Sequence, residues 1–501
     1  MNEIYILQLG GEDWNKRYSL PQAICLDYAE CFREPSLKSY DLFFLDRNPL
    51  EEEIEPLYRA IKAYTLFVTE HVDICGGMEW LCKCKKAKYI RIADLERFFL
   101  REAKYYYSGS YGEKFDPPNL AIAQGFAGVV DWNGNYEVSL EGDFGSELGQ
   151  IAYWRNNIPL FQGQVIDLWL EYHKSRGVEI SLVVTMFASG SVSSILKQWE
   201  FSEKELENVV QIENSQAEGN IFVSVRAGGS GKLQIVALHD RYSRGNHGYF
   251  LPGGERYVTS DREEIFCYFD PGDLKPPLNV YFAGYKTKQG FEGYNLMRGM
   301  GCPFLLLSEP RLEGGCLYVG TGEYEKLVIT IIRRYMRELG FTSDQIILSG
   351  ISGGTYGALY YGCDIRPHAM ILGKPVPSLG DVAANEKHLR PGGLPTTLDM
   401  LKYLIGDTDK ISVKKLNERF WNKFDAVDWG KSKFVVAYMI EDDYDPTAYD
   451  MLLSHLWSSG VQVYGKGIHG RHNDNTPAIV KWFTSQYKKI LYEDFSRRKT
   501  R

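Results

Sequence analysis

No stretch of this 501-residue chain approaches the ~18 consecutive apolar residues that a bilayer-spanning helix needs. Any membrane association is therefore expected to be peripheral. A basic surplus is also missing: 57 Lys and Arg face 65 Asp and Glu, a net charge of −8. That excludes a protein that holds nucleic acid by bulk charge. The nine cysteines, Cys25, Cys31, Cys75, Cys82, Cys84, Cys267, Cys302, Cys316 and Cys363, are odd in number and irregular in spacing. They argue against a disulfide framework and read as reduced thiols of a cytosolic chain. Cys75, Cys82 and Cys84 with nearby His71 lack a fourth ligand at zinc-like spacing, so no metal site is expected. The opening Met1 to Leu7 carries no basic region and runs directly into a strand pattern, unlike a secretory signal. Gly10-Gly11 follows that strand, but no G-x-G-x-x-G or G-x-x-x-x-G-K is completed, so a tight turn is expected there.

Aromatics, by contrast, are plentiful, at 14% with 34 Tyr and 10 Trp. Such rings suit sugar faces as well as ordinary cores, so they favour a glycan ligand only mildly. The length implies more than one domain, and the α/β pattern divides in three. Up to 112, strand patterns at Ile4–Leu9, Asp41–Leu45 and Ala63–Val68 alternate with a helical stretch at Leu50–Ala60, reading as a small α/β unit. From 113 to 254, short strand patterns recur between turn signals such as Asp131-Trp132-Asn133-Gly134-Asn135. They suggest a β-sandwich, carbohydrate-binding-like by analogy. Within it, Ile221–Arg226 and Leu233–Leu238 read as two strands, and only Ser202–Val209 looks helical.

The segment 255–501 carries the chemistry. Gln345-Ile346-Ile347-Leu348-Ser349 is a short apolar strand pattern. Gly350-Ile351-Ser352-Gly353-Gly354 follows, and then Thr355 to Tyr361, which can start a helix. Strand, G-x-S-x-G and helix form the nucleophile elbow of α/β-hydrolases. The glycines let the turn pass close to its neighbours, and the Gly353 N–H stands where a developing oxyanion is stabilised. An amphipathic helix over Gly322–Leu339, stopped by Gly340, precedes the elbow strand as a crossover should.

An acid and a histidine should follow in that order. The strand pattern Lys433–Ile440 ends in Glu441-Asp442-Asp443-Tyr444-Asp445-Pro446. Asp442 is favoured as the acid because Pro446 lies four residues on; Asp443 and then Glu441 are the alternatives. A further strand pattern, Val461–Tyr464, leads to His469-Gly470-Arg471-His472, ahead of a helix from about Ala478 to Leu491. His472 is favoured over His469 as the base, being nearer the helix start. The second oxyanion donor is expected in the loop after Leu278–Ala283, headed by Gly284 and Tyr285. Taken singly, each of these residues is as well explained as a solvated turn or loop side chain. Their joint order on the expected elements favours a Ser352–His472–Asp442 triad.

The whole chain resembles the glycan O-acetyltransferase family of the accessory Sec system, the second of the accessory secretory proteins of Gram-positive bacteria. The resemblance rests on Leu7-Gln8-Leu9-Gly10-Gly11-Glu12-Asp13-Trp14, on Asn279 to Tyr285, and on Glu292-Gly293-Tyr294. Pro310 to Gly315, Gly357 to Gly362 and Gly467 to Thr476 complete it. It implies a cytoplasmic enzyme that acetylates N-acetylglucosamine on serine-rich repeat adhesin glycoproteins. It also implies a role in exporting those adhesins, together with two sister accessory proteins and the dedicated Sec ATPase. Ser352 as nucleophile and His472 as base carry over directly, whereas Glu441, Asp442 and Asp443 all remain open for the acid. Gly353 departs from the larger residue found there in many relatives. No bound cofactor is implied. An acetyl donor is required, acetyl-CoA being a candidate, although no coenzyme A motif stands out.

Overall fold

The computed structural model describes residues 3–32, 38–109, 112–215, 217–388, 394 and 396–497. Its strands fall into three sheets. The first is parallel, in the order Ile24–Ala29, Ile4–Leu9, Leu42–Leu45, Leu66–Val68, Lys88–Tyr89. Its central strands are short unbroken apolar runs, as strands covered on both faces must be, and a separate buried cluster fills each face. Besides the expected helix at Glu51–Ala60, helices Gly76–Lys85 and Leu95–Arg101 cover it. Gly10 and Gly11 both have positive φ, +76° and +72°. A Cβ on Gly11 would lie 1.8 Å from Asp46 Oδ2, so the tight turn after the first strand requires glycine.

The middle segment is one ten-stranded, mainly antiparallel sheet wrapped around a single core. Two long strands, Glu137–Trp154 and Gly219–Tyr242, run through it. The second corrects the expectation of separate strands at 221–226 and 233–238. The intervening Gly228, Gly229 and Gly231 form no turn; the pairing with Glu137–Trp154 shifts register at Val225/Arg226 and around Gly229. Gly229 and Gly231 take φ +85° and +137°, so these glycines bend a continuous strand through bulges. The expected helix at 202–209 is only a 3₁₀ turn at Glu205–Glu207.

The third sheet has eight strands, in the order Glu255–Val258, Glu264–Asp270, Phe304–Ser308, Leu278–Phe282, Ile346–Ile351, Ala369–Gly373, Lys433–Met439, Gln462–Ile468. The last six are parallel. Helix Gly322–Leu339 packs Tyr324, Val328, Ile331 and Tyr335 into the core on one face. Thr321 caps its start by accepting from the Tyr324 N–H, and Gly340 ends it at φ +72°. On the other face, helix Thr476–Glu493 buries Phe483, Tyr487, Ile490 and Leu491. Parallel strands with both faces covered carry their loops at the carboxyl edge, where sites of such sheets form.

Candidate functional site

Ser352 follows the inner strand Ile346–Ile351, flanked by Leu278–Phe282 and Ala369–Gly373. It adopts φ +55°, a left-handed conformation that costs a non-glycine residue about 1–3 kcal/mol. The turn is held by the Ser352 N–H, which donates to Gly373 O at 2.7 Å, and by helix Gly354–Ile365 starting at once. Crowding explains the glycines. A Cβ on Gly350 would lie 2.3 Å from the Gly354 carbonyl carbon, and one on Gly354 would lie 2.1 Å from Phe282 O. At Gly353 a Cβ would come within 2.4 Å of Leu317 Cδ2, so the small residue there is matched to the leucine above it.

The loop after Gln462–Ile468 brings His472, 1% exposed, over the turn. Its Nε2 is 2.8 Å from Ser352 Oγ, and its Nδ1 is 2.9 Å from Asp442 Oδ2. A carboxylate facing Nδ1 fixes the proton on that nitrogen and leaves Nε2 to accept from the serine. Asp442 is itself buried, and its Oδ1 accepts the Tyr444 and Asp445 N–H groups at 2.8 and 3.1 Å. The neighbouring candidates stand elsewhere. Asp443 Oδ1 accepts the backbone N–H of His472 at 3.1 Å. Glu441 and His469 meet each other at 2.9 Å on the surface. The structure therefore brings Ser352, His472 and Asp442 together and leaves Asp443, Glu441 and His469 outside the relay.

Gly284 requires a correction. Its N–H donates to Glu292 Oε2 at 2.8 Å and so is committed before any substrate arrives. The next amide, that of Tyr285, lies 3.5 Å from where a Cβ on Gly353 would sit. Among the described residues, the N–H groups of Gly353 and Tyr285 donate to no protein acceptor. They form a donor pair beside Ser352.

Two supporting residues had no signal in the sequence pattern. The Tyr444 ring stacks on His472. Lys374, just past the strand Ala369–Gly373, is buried, and its ammonium donates to Asp474 O at 3.3 Å and Thr476 Oγ1 at 2.9 Å. It thus ties the histidine loop to the helix behind it. Burial lowers the Lys374 pKa, against the pull of Asp442 and Asp474. Burial also pushes the Asp445 carboxyl up to about 7.

The model of the accessory Sec system GspB-transporter family matches residues 4–497. The chain belongs to that family. An accessory Sec system protein of Streptococcus gordonii, the second of its series, is 35% identical over 509 residues, spanning 99% of this chain and 100% of that protein. Its counterpart in Staphylococcus aureus (strain NCTC 8325 / PS 47) is 41% identical over 510 residues, spanning 98% and 97%. Among solved structures, a chain of the Glycosylation Associate Protein (Gap123) complex from Streptococcus agalactiae superposes with a TM-score of 0.87 at 34% identity, covering 99% of each chain. Among the described residues, no helix is long and apolar enough to cross a membrane.

Proposed function

We propose that this GspB-transporter family member is a serine-triad acetyltransferase of α/β-hydrolase type. On this reading it O-acetylates N-acetylglucosamine on serine-rich repeat adhesins in the cytoplasm and supports their export. The observation that carries the chemistry is the continuous relay from half-buried Ser352 Oγ through both nitrogens of buried His472 to buried Asp442, beside the two unengaged amides. His472 Nε2 takes the Ser352 proton as Oγ attacks the acetyl carbonyl of the donor. The carbonyl electron pair moves to oxygen, where the Gly353 and Tyr285 N–H groups hold it. Collapse expels the donor's alkoxide or thiolate, which takes the proton from His472. A sugar hydroxyl then attacks the acetyl-serine, again losing its proton to His472, and Ser352 is restored. Asp442 stabilises the imidazolium in both halves. The acetyl donor is a substrate, with acetyl-CoA the proposed one.

The sister accessory secretory proteins are the proposed partners, since the similar S. agalactiae chain is part of the Gap123 complex. The adhesin and the accessory Sec ATPase complete the proposed assembly. The proposed units are 1–112, 113–254 and 255–501, a division that the separation into three sheets supports. The same relay would serve a carbohydrate esterase, and a place in a complex would suit a non-catalytic export scaffold. Mass spectrometry of adhesin glycans separates these. Cells with Ser352→Ala should make adhesin lacking sugar O-acetyl groups. Unchanged acetylation would overturn the reading, and extra acetylation would identify an esterase. In vitro, Ser352→Ala and His472→Ala should each abolish small-ester turnover, the double variant being scarcely worse because the relay works as a unit.

A further inference from the structure

A large cavity lies far from Ser352. It has a volume of about 1600 Å³ and opens between the N-terminal sheet's helices and the amino edge of the eight-stranded sheet. The amino edge is identified by Pro276, Gln345 and His368, each standing just before a parallel strand. Ser352 follows the carboxyl edge of the same sheet. The volume exceeds the ~300–1,000 Å³ of ordinary ligand pockets, and it has no part in the relay.

Lys85 points the reading. It is the last residue of helix Gly76–Lys85, lines the cavity and is 5% exposed. Its ammonium lies 3.9 Å above the Tyr58 ring and, among the described residues, makes no hydrogen bond or ion pair within 4 Å. The side chain is buried while the ammonium opens onto the cavity, where a partly desolvated charge without a protein acceptor favours an anionic ligand. Burial lowers its pKa only to about 8, so it remains mostly charged at neutral pH. The charged groups acting on it are Asp270 and Glu55, of opposite sign, and Arg298, of like sign, with the Cys84 thiol beside them.

Most other charges around the cavity are already matched. Arg59 meets Glu55 at 3.1 Å, Arg497 forks onto Asp273 at 2.9 and 3.0 Å, and Lys433 holds Asp494 at 2.7 Å. Among the described residues, Arg298 donates only to the main-chain carbonyls of Arg59 and Ala60. Exposed Lys275 and Asp344 offset each other at the rim, so Lys85 and Arg298 locally face the single buried carboxylate of Asp270, next to an aromatic pair, Tyr58 and Trp80, whose rings are 4.8 Å apart.

We propose that this cavity binds a phosphate-bearing small molecule, with its phosphate seated between the Lys85 ammonium and the Arg298 guanidinium. Phosphate oxygens would accept the hydrogen bonds that Lys85 lacks. The remaining volume admits an organic group against Tyr58 and Trp80. The site is independent of the triad and stands whether or not the chain transfers acetyl groups.

Pyrophosphate and ADP, titrated calorimetrically into the full chain at fixed ionic strength, test it. Both should bind saturably, ADP more tightly if its ring uses the aromatic pair. Lys85→Met, which removes a buried charge at nearly constant shape, should fold and should weaken pyrophosphate by at least about tenfold, the loss expected for one charge-assisted hydrogen bond. Lys85→Arg should retain most of the affinity. Absence of saturable pyrophosphate binding, or undiminished binding by folded Lys85→Met, would overturn the proposal.

Discussion

The Tyr444 ring lies flat on the imidazole of His472, with 4.3 Å between centroids and 2° between planes. Asn473 Nδ2 donates to the Tyr444 hydroxyl at 3.0 Å, tying the acid loop to the histidine loop. The stack restricts the imidazole plane while leaving both ring nitrogens to their partners. Tyr444→Ala should lower kcat on a small acetyl ester by roughly 10–100-fold, the scale of a sub-ångström to ångström misplacement. Tyr444→Phe keeps the ring and should stay close to wild type. Equal damage in the two variants would assign the effect to the hydroxyl instead.

Asp442→Asn should be the severe change in the acidic run, on the order of 10³–10⁴-fold in kcat, because an amide facing Nδ1 favours the wrong tautomer. Asp443→Asn should be much milder, since an amide oxygen can still accept the His472 N–H that Asp443 now accepts. Glu441→Gln should be nearly silent, as its partner His469 is exposed. Steady-state kinetics on the three variants decides the order.

Asp445 makes stability depend on pH in a definite direction. Its carboxyl, buried and accepting the Ser378 N–H at 2.8 Å, is raised from 3.8 to about 7. The folded state therefore binds the proton more tightly than the unfolded one between these values. Its contribution is fully present below the unfolded pKa and is lost as pH rises through about 7. Asp445→Asn should flatten the fall of Tm between pH 4 and 7 and should exceed wild type in Tm at pH 8, both read by thermal scans.

Trp132 is 43% exposed, on a strand whose Val129 and Val130 are 66% and 38% exposed. The adjoining turn is anchored without it: the Asn135 N–H donates to Asp399 Oδ1 at 3.1 Å, and Tyr136 meets Tyr403 edge-on at 5.9 Å. Trp132→Ala should therefore leave Tm and small-ester turnover nearly intact while weakening acetylation of the glycosylated adhesin, because remote contacts help only substrates large enough to reach them. Equal loss on both substrates with a lowered Tm would place the ring in the fold's support.

Local pattern by itself determined the G-x-S-x-G turn, the helix Gly322–Leu339 with its Gly340 stop, and the order in which Ser352, the acidic run and the histidines follow one another. Each is written within a few residues, in apolar period and glycine placement, so no distant partner is needed to read it. Among Glu441, Asp442 and Asp443 the position of Pro446 favoured Asp442 without deciding it, because three adjacent carboxylates differ mainly in where a folded loop aims them. Only the fold decided that Asp442 meets Nδ1 while Asp443 holds the backbone of His472. The fold also passed the second amide from Gly284 to Tyr285, by placing Glu292, eight residues on, against the first. Gly228 to Gly231 misled for the same reason: glycine permits a turn or a bulge alike, and pairing with Glu137–Trp154 selected the bulge. Lys85 and Tyr58 lie 27 residues apart on different helices, and their shared cavity exists only once both pack against a sheet whose first strand begins near residue 255. Such long-range juxtapositions are set by the closing of the core, which no local window of sequence contains.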